Sequence, residues 1–262
     1  MRASKQQAST RRKNLWVALA LCAITLLAYS NSFSAGFTFD NHGLILEDAR
    51  IREASDANLR LIVEHTYWWP YGESGLYRPL TTLSYLFNYV ILGNGDQPAG
   101  YHAVNFLLHF GNVLLVLLLA RKLLGSEWPP VFIAALWAVH PVLTESVTNI
   151  VGRADLLAGG ATLGGFLIYL KSAEKEGRRR WAWLGGLMLA TCAGVFSKES
   201  AVTVLGAERC FGSGDTANDD LLGTPTRDSP RLRPTAPPLR LAQKPRSERR
   251  WRLEYARRAG DW

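Results

Sequence analysis

Tyr101-His-Ala-Val-Asn105-Phe-Leu-Leu-His109-Phe-Gly-Asn112-Val-Leu-Leu-Val-Leu-Leu-Leu-Ala120-Arg121-Lys122-Leu-Leu124 is apolar without a break from Val113 to Ala120 and is closed by two basic residues. At about 1.5 Å per residue it crosses the roughly 30 Å hydrocarbon layer of a bilayer as a helix. No water is present there to satisfy stray backbone groups, so a segment of this kind is helical, and neighbours of similar composition are expected to be helical too. The expected fold class is an all-α polytopic membrane protein.

Working outward, four further apolar runs are expected to span: Leu15 to Tyr29, Val131 to about Val147, Leu156 to Leu170 and Trp181 to Phe196, which makes about five spans. The first follows the basic segment 1–13 and lacks a good small-residue cleavage site, so an uncleaved helix is expected rather than a removed signal peptide. The Leu156 run contains Gly159, Gly160, Gly164 and Gly165, as close helix packing allows. Residues 30–100 hold no long apolar run and read as an outer loop with short amphipathic helices. Within it Tyr67, Trp68 and Trp69 suit a headgroup region, and Leu80 to Leu92, too short to span, suits an interfacial or re-entrant position.

Arg2 to Lys13, Arg121-Lys122 and the Lys171 to Arg180 loop fall on one side if each run crosses once, and excess Lys and Arg marks the cytoplasmic side. The 30–100 loop, His140 to Asp155 and Lys198 then share the opposite side. From about residue 207 a Pro- and Arg-rich stretch, 207–262, lacks hydrophobic periodicity and reads as a disordered basic tail, possible as an out-of-frame reading that cuts short a sixth apolar run.

The formal net charge of +8 would suit nucleic acid, but the basic residues cluster at the ends of apolar runs, as orientation in a bilayer requires. No nucleic-acid partner is expected. Cys22, Cys192 and Cys210 show neither CxxC spacing nor an even framework, so neither a disulfide scaffold nor structural zinc is expected.

Several polar residues near the outer face carry candidate chemistry. His102, Asn105, His109 and Asn112 share one helical face, either lining a path for a lipid-linked substrate or hydrogen-bonding to neighbouring helices. His140 and Glu145 end the third run, and Arg153 and Asp155 follow. Arg153 suits a phosphate through its planar fork, or pairs with Asp155 or Glu145. Lys198 and Glu199 are adjacent and point to different helix faces, so at most one of them is expected to face a site. Arg78, in Tyr77-Arg78-Pro79-Leu80, is a second phosphate candidate. Asp40 in Phe39-Asp40-Asn41 is the best candidate for a base that takes a proton from a hydroxyl; alternatively Asp40 or Asn41 caps a helix starting near Gly43.

Taken in order, Phe39-Asp40-Asn41, Tyr77-Arg78-Pro79-Leu80, Gly100-Tyr101-His102 to His109, His140-Pro141 to Val147, Val151-Gly152-Arg153-Ala154-Asp155 and Ser197-Lys198-Glu199 resemble the TMTC family of transmembrane and tetratricopeptide-repeat proteins, the bacterial-type relatives most of all. The resemblance covers roughly residues 14–206. It implies a partial GT-C glycosyltransferase fold whose first outer loop carries the catalytic carboxylate. It also implies a polyprenyl-phosphate sugar as donor, as in animal members that transfer mannose from dolichyl phosphate to protein Ser or Thr. On that basis Asp40 is the expected base, and Arg78, His102, His140, Glu145, Arg153, Asp155 and Lys198 are the expected substrate- and phosphate-binding set. Asn41 stands where the family often has a second Asp, so a carboxylate pair and a divalent metal are not expected.

The expected partners are the lipid bilayer, the lipid-linked sugar and a protein acceptor. The expected location is a bacterial inner membrane, or the endoplasmic reticulum in a eukaryote, with a periplasmic or lumenal active face. The later spans and helical repeats of the family are missing from these 262 residues, so an inactive fragment is a further expectation. The contrasting reading is a transporter or scaffold built around the His109–Asn112 stripe.

Overall fold

In the computed structural model, residues 2–72, 75–204 and 206 are described. The expected tail, 207–262, lies outside them. Helix α1, Arg2–Tyr29, enters the bundle and is followed by a 3-10 turn, Ser30–Ser34. The segment up to residue 97 is a layer of short elements: a π-helical turn at His42–Leu46, a 3-10 turn at Ala49–Ile51, α2 at Asp56–Glu64, and α3 at Pro79–Leu86 running into a π-helical turn at Phe87–Ile91. Then come α4, Pro98–Leu124, α5, Trp128–Ala138, the short α6, Thr144–Thr148, α7, Arg153–Ala173, and α8, Gly177–Val195. Among the described residues there is no strand. The chain is an all-α polytopic membrane protein.

Several boundaries have a local cause. Ser55 caps α2 by accepting from the Asn58 amide at 3.4 Å. Helix α4 starts at Pro98, where a missing N–H costs nothing, and stops at Gly125, whose φ of 60° is a left-handed cap. The α5 run breaks at His140-Pro141, because proline cannot continue the ladder and holds the residue before it extended. The two halves, Trp128–Ala138 and Pro141–Thr148, meet at 47°.

Ser9–Ser34, Pro98–Leu124 and Ile150–Ala173 are long and apolar enough to cross a membrane, and the broken pair makes four if counted as one span. The fifth run is helical, but Arg178, Arg179 and Arg180 fill the first turn of α8. Its apolar part, residues 181–195, is therefore only about 22 Å long, short of the hydrocarbon thickness.

Helices α1 and α4 run antiparallel. Asn14 meets Arg121, Tyr29 stands edge-on to His109, and Phe33 packs on Phe106. Lys122 pairs with Glu174 and Lys13 approaches Glu127 at 4.0 Å, so the basic segments do gather at one end of the bundle. Between these ends Leu21, Val113, Val116, Leu117, Ala134 and Ala138 form a core joining α1, α4 and α5. Close approach of α7 rests on small residues: a Cβ at Gly160 would lie 2.7 Å from Asn112 Oδ1, and one at Gly165 3.4 Å from Leu187.

The outer layer has a core of its own, Leu44, Ile45, Ile51, Ile62, Tyr67, Tyr85, Leu86, Tyr101 and Ile150. Here the structure departs from the expected interfacial aromatic cluster. Tyr67 is buried with Trp68 packed on it, and Trp69 stacks on His65 under the Arg50 guanidinium. Arg50 draws these aromatics inward. It is fully buried, paired with Asp48 at 2.8 Å, and it donates to the Thr66 and Tyr67 carbonyls at 3.0 and 3.1 Å.

Candidate functional site

The turn between α6 and α7 is the wall on which the site is built. Asn105 on α4 donates to the Asn149 and Ile150 carbonyls at 3.0 and 3.3 Å and accepts from Arg153 Nε at 2.8 Å. Arg153 spends its other nitrogens on the Ser84 and Tyr101 carbonyls at 3.1 and 3.0 Å, between the rings of Tyr85 and Tyr101. A buried guanidinium is tolerated where its donors are satisfied, and here the acceptors are backbone oxygens and an amide. Arg153 thus ties α3, α4 and α7 together from behind the wall. Gly152 is forced by space: a Cβ there would lie 2.6 Å from the Ser146 carbonyl oxygen and 2.8 Å from that of Glu145.

Asp40 reaches this wall through its neighbour. Buried Asn41 accepts from the Val151 amide at 3.1 Å, so the amide side chain fastens the loop carrying Asp40 to the α6–α7 turn. Neither residue caps the following turn, which begins without a side-chain cap. Phe39, with φ of 49°, holds the backbone bend that precedes Asp40. Such a conformation is costly for an aromatic residue and persists only where surrounding structure holds it.

The opposite wall comes from α3 and the chain after α8. Leu80 N donates to the Phe196 carbonyl at 3.2 Å and Thr81 Oγ1 to that of Ser197 at 2.8 Å, which brings Arg78 and Lys198 side by side. Each cation holds a carboxylate. Arg78 donates to Glu199 at 2.6 and 3.1 Å, and Lys198 pairs with Asp155 at 2.6 Å. The Arg78 hydrogen bond, together with the charges of Arg78 and Lys198, holds the Glu199 carboxyl below its ordinary value against a smaller opposing effect of burial. Arg78 also lies over the ring of Tyr67, whose phenol burial pushes well above its usual value.

These walls border a polar cavity of about 220 Å³ lined by Asp40, Arg78, Glu145, Asp155 and Lys198, with Tyr67 and Asn149 among the other lining residues. Five of the residues singled out from sequence are therefore brought together. Three are not among the lining side chains. Arg153 is the buried strut just described. His140 is exposed and caps the turn after α5, its Nδ1 accepting from the Val142 amide at 3.2 Å. His102 is buried inside α4.

Of Lys198 and Glu199, only Lys198 lines the cavity, while Glu199 anchors Arg78 from outside it. On the α4 stripe His109 and Asn112 both bond a neighbouring backbone and line the groove beside the cavity. His109 Nε2 donates to the Ala138 carbonyl at 3.0 Å and Asn112 to that of Leu156 at 2.9 Å. Tyr67 and Asn149 are lining residues that the sequence does not single out for the site: Tyr67 reads as one of a run of interfacial aromatics, and Asn149 reads as a turn residue, which it also is, capping the turn Ile150–Gly152.

Asp155 is shared. It also lines a groove of about 380 Å³ that continues along α4 and α7 past Leu156, Leu163, Trp137 and Ser200. A polar chamber thus abuts a largely apolar channel at one carboxylate.

Known proteins similar to this chain are protein O-mannosyl-transferases. Tmtc2 of Drosophila melanogaster is 37% identical over 194 residues, 71% of this chain. Tmtc1 of the same organism is 34% identical over 208 residues, 78% of the chain, and human TMTC4 is 32% identical over 219 residues, 75% of the chain. The chain spans only 20%, 23% and 29% of the length of these three relatives, respectively. No family model and no solved structure matches it.

Proposed function

This chain belongs to the TMTC family, and we propose that its outer cavity is the donor and base side of a GT-C type membrane glycosyltransferase that moves a mannose-like sugar from a polyprenyl phosphate to a protein Ser or Thr hydroxyl. The observation that carries this reading is the cavity itself: exposed Asp40 faces the same 220 Å³ space as Arg78 and Lys198. The Asp40 side chain is exposed and opens on that space, within reach of an acceptor hydroxyl that enters it.

The acceptor oxygen attacks the anomeric carbon as the bond from that carbon to the phosphate oxygen breaks. The hydroxyl proton passes to Asp40 and the polyprenyl phosphate departs with the electron pair. Lys198 and Arg78 stabilise the charge that grows on the phosphate, exchanging Asp155 and Glu199 for it. One displacement inverts the anomeric centre. The groove that meets the cavity at Asp155 suits the isoprenoid chain, with the phosphate held at the polar end. By the charge bias of the bundle ends, this face is periplasmic or lumenal.

Binding of a dolichyl or undecaprenyl phosphate sugar to the detergent-solubilised protein separates this reading from a transporter lined by the α4 stripe. Lys198→Met is expected to weaken donor binding about tenfold or more, as loss of a charge-assisted contact does. His109→Phe removes the bond to the Ala138 carbonyl and alters the wall of the groove that His109 lines, so it is expected to lower stability and to weaken donor binding less than Lys198→Met does, at temperatures where the variant is folded. The opposite ranking would favour the transporter.

A further inference from the structure

At the basic end of the bundle, away from the proposed transfer site, α1 and the α4–α5 connection leave a cleft of about 530 Å³ lined by Lys13, Asn14, Trp16, Arg121, Ser126 and Trp128 among others. Asn105, at the level of the outer cavity, and Arg121 are sixteen residues apart on α4, or about 24 Å along the helix. We propose that this cleft binds the phosphate headgroup of an anionic glycerophospholipid.

Charge selects the occupant. Lys13 and Arg121 face the cleft against a single carboxylate, Glu127, which approaches Lys13 at 4.0 Å with both side chains mostly exposed. A pair of that kind holds little energy and yields easily to a phosphate. Arg121 donates one nitrogen to the neutral Asn14 Oδ1 at 3.2 Å, and among the described residues no carboxylate lies in ion-pair range of it. Its neighbour Lys122 is already engaged by Glu174. The half-buried guanidinium therefore keeps donors and an uncompensated charge at the cleft, and exposed Arg11 and Arg12 precede Lys13 in α1.

Position selects a lipid over other anions. Trp16 and Trp128 are 64% and 69% exposed on the rims, as tryptophans are at the headgroup level of a bilayer. Val17 and Val131 line the cleft and carry its surface on toward the apolar core of α1, α4 and α5, where acyl chains can lie. Basic clefts between membrane helices on the cytoplasmic side are suited to such headgroups, each charge contributing to their capture.

The test uses the full chain in nanodiscs of phosphatidylcholine with a minor fraction of phosphatidylglycerol, with native mass spectrometry counting the lipids retained after release. Phosphatidylglycerol is expected to be retained over phosphatidylcholine. Lys13→Gln and Arg121→Gln should each reduce that preference about fivefold, whereas Lys175→Gln with Arg178→Gln, just before α8 and at its start, should leave it unchanged. Lys13→Gln alone decides the matter if Arg121→Gln fails to assemble, because the Lys13 side chain is exposed. Equal retention in the cleft variants, or an equal loss in the loop variant, overturns the site in favour of diffuse surface charge. Displacement by inorganic phosphate as readily as by phosphatidylglycerol overturns the lipid as occupant.

Discussion

Gly152 shows how narrowly the outer cavity is defined. With φ of −60° its backbone suits any residue, so glycine is required only by the backbone oxygens that crowd its missing Cβ. Gly152→Ala is expected to lower stability by about 1–3 kcal/mol, the usual cost of overpacking a site whose neighbours are backbone and cannot step aside. A melting curve in detergent checks this, and Gly164→Ala, where a Cβ meets open space, is the matched control. The face shared by His102, Asn105, His109 and Asn112 was legible from spacing alone. Their partners were not, because the acceptors at Asn149, Ala138 and Leu156 are main-chain carbonyls that leave no trace in side-chain identity. Arg153 is a parallel case. An intramembrane arginine reads as a phosphate ligand until the Ser84 and Tyr101 carbonyls are seen to occupy it.

Among the elements, the contact between α3 and the residues after α8 controls how Arg78 and Lys198 face the cavity. Its ionic part is pH-dependent. The Glu199 carboxyl is depressed in the folded state, so the stabilisation from Arg78–Glu199 is complete above the ordinary carboxylate pKa of about 4.5 and fades as pH falls through the lower folded value. The difference in melting temperature between the wild type and Glu199→Gln should therefore be small at neutral pH and shrink to nothing as acidification protonates the depressed carboxyl. A small difference is expected because Glu199 is largely exposed and solvent screens the pair to roughly 0–1 kcal/mol. A difference that grows on acidification would contradict the assignment. Element boundaries were readable where proline and glycine mark them, as at Pro98, Gly125 and His140-Pro141. The core of the outer layer was not, since it is assembled from segments too short to show a period and is fastened by Arg50, whose partners lie sixteen and seventeen residues away.

For the whole molecule, the long apolar helices and the gathering of basic residues at one end were plain in the sequence, because the bilayer imposes both on composition. A count of five crossings puts Asp40, Arg78, Glu145, Asp155 and Lys198 on one side, although only three helices, or four with the broken pair, are long and apolar enough to span. Their meeting around a single 220 Å³ cavity needed the tertiary contacts of Asn41, Thr81 and Asn105. Orientation is testable in a background with the native cysteines replaced. A cysteine at exposed Glu53 should react with an impermeant maleimide from the non-cytoplasmic side, and one at exposed Glu176 only after permeabilisation; the reverse pattern would place the cavity on the other face. The most direct measurement for the account is sugar transfer from a polyprenyl phosphate donor to a Ser/Thr acceptor in membranes carrying the full-length protein with Asp40→Asn. Transfer is predicted to fall by about 10²–10⁴-fold with insertion and donor binding retained; transfer at the wild-type rate would contradict Asp40 as the base and the cavity as the site of chemistry.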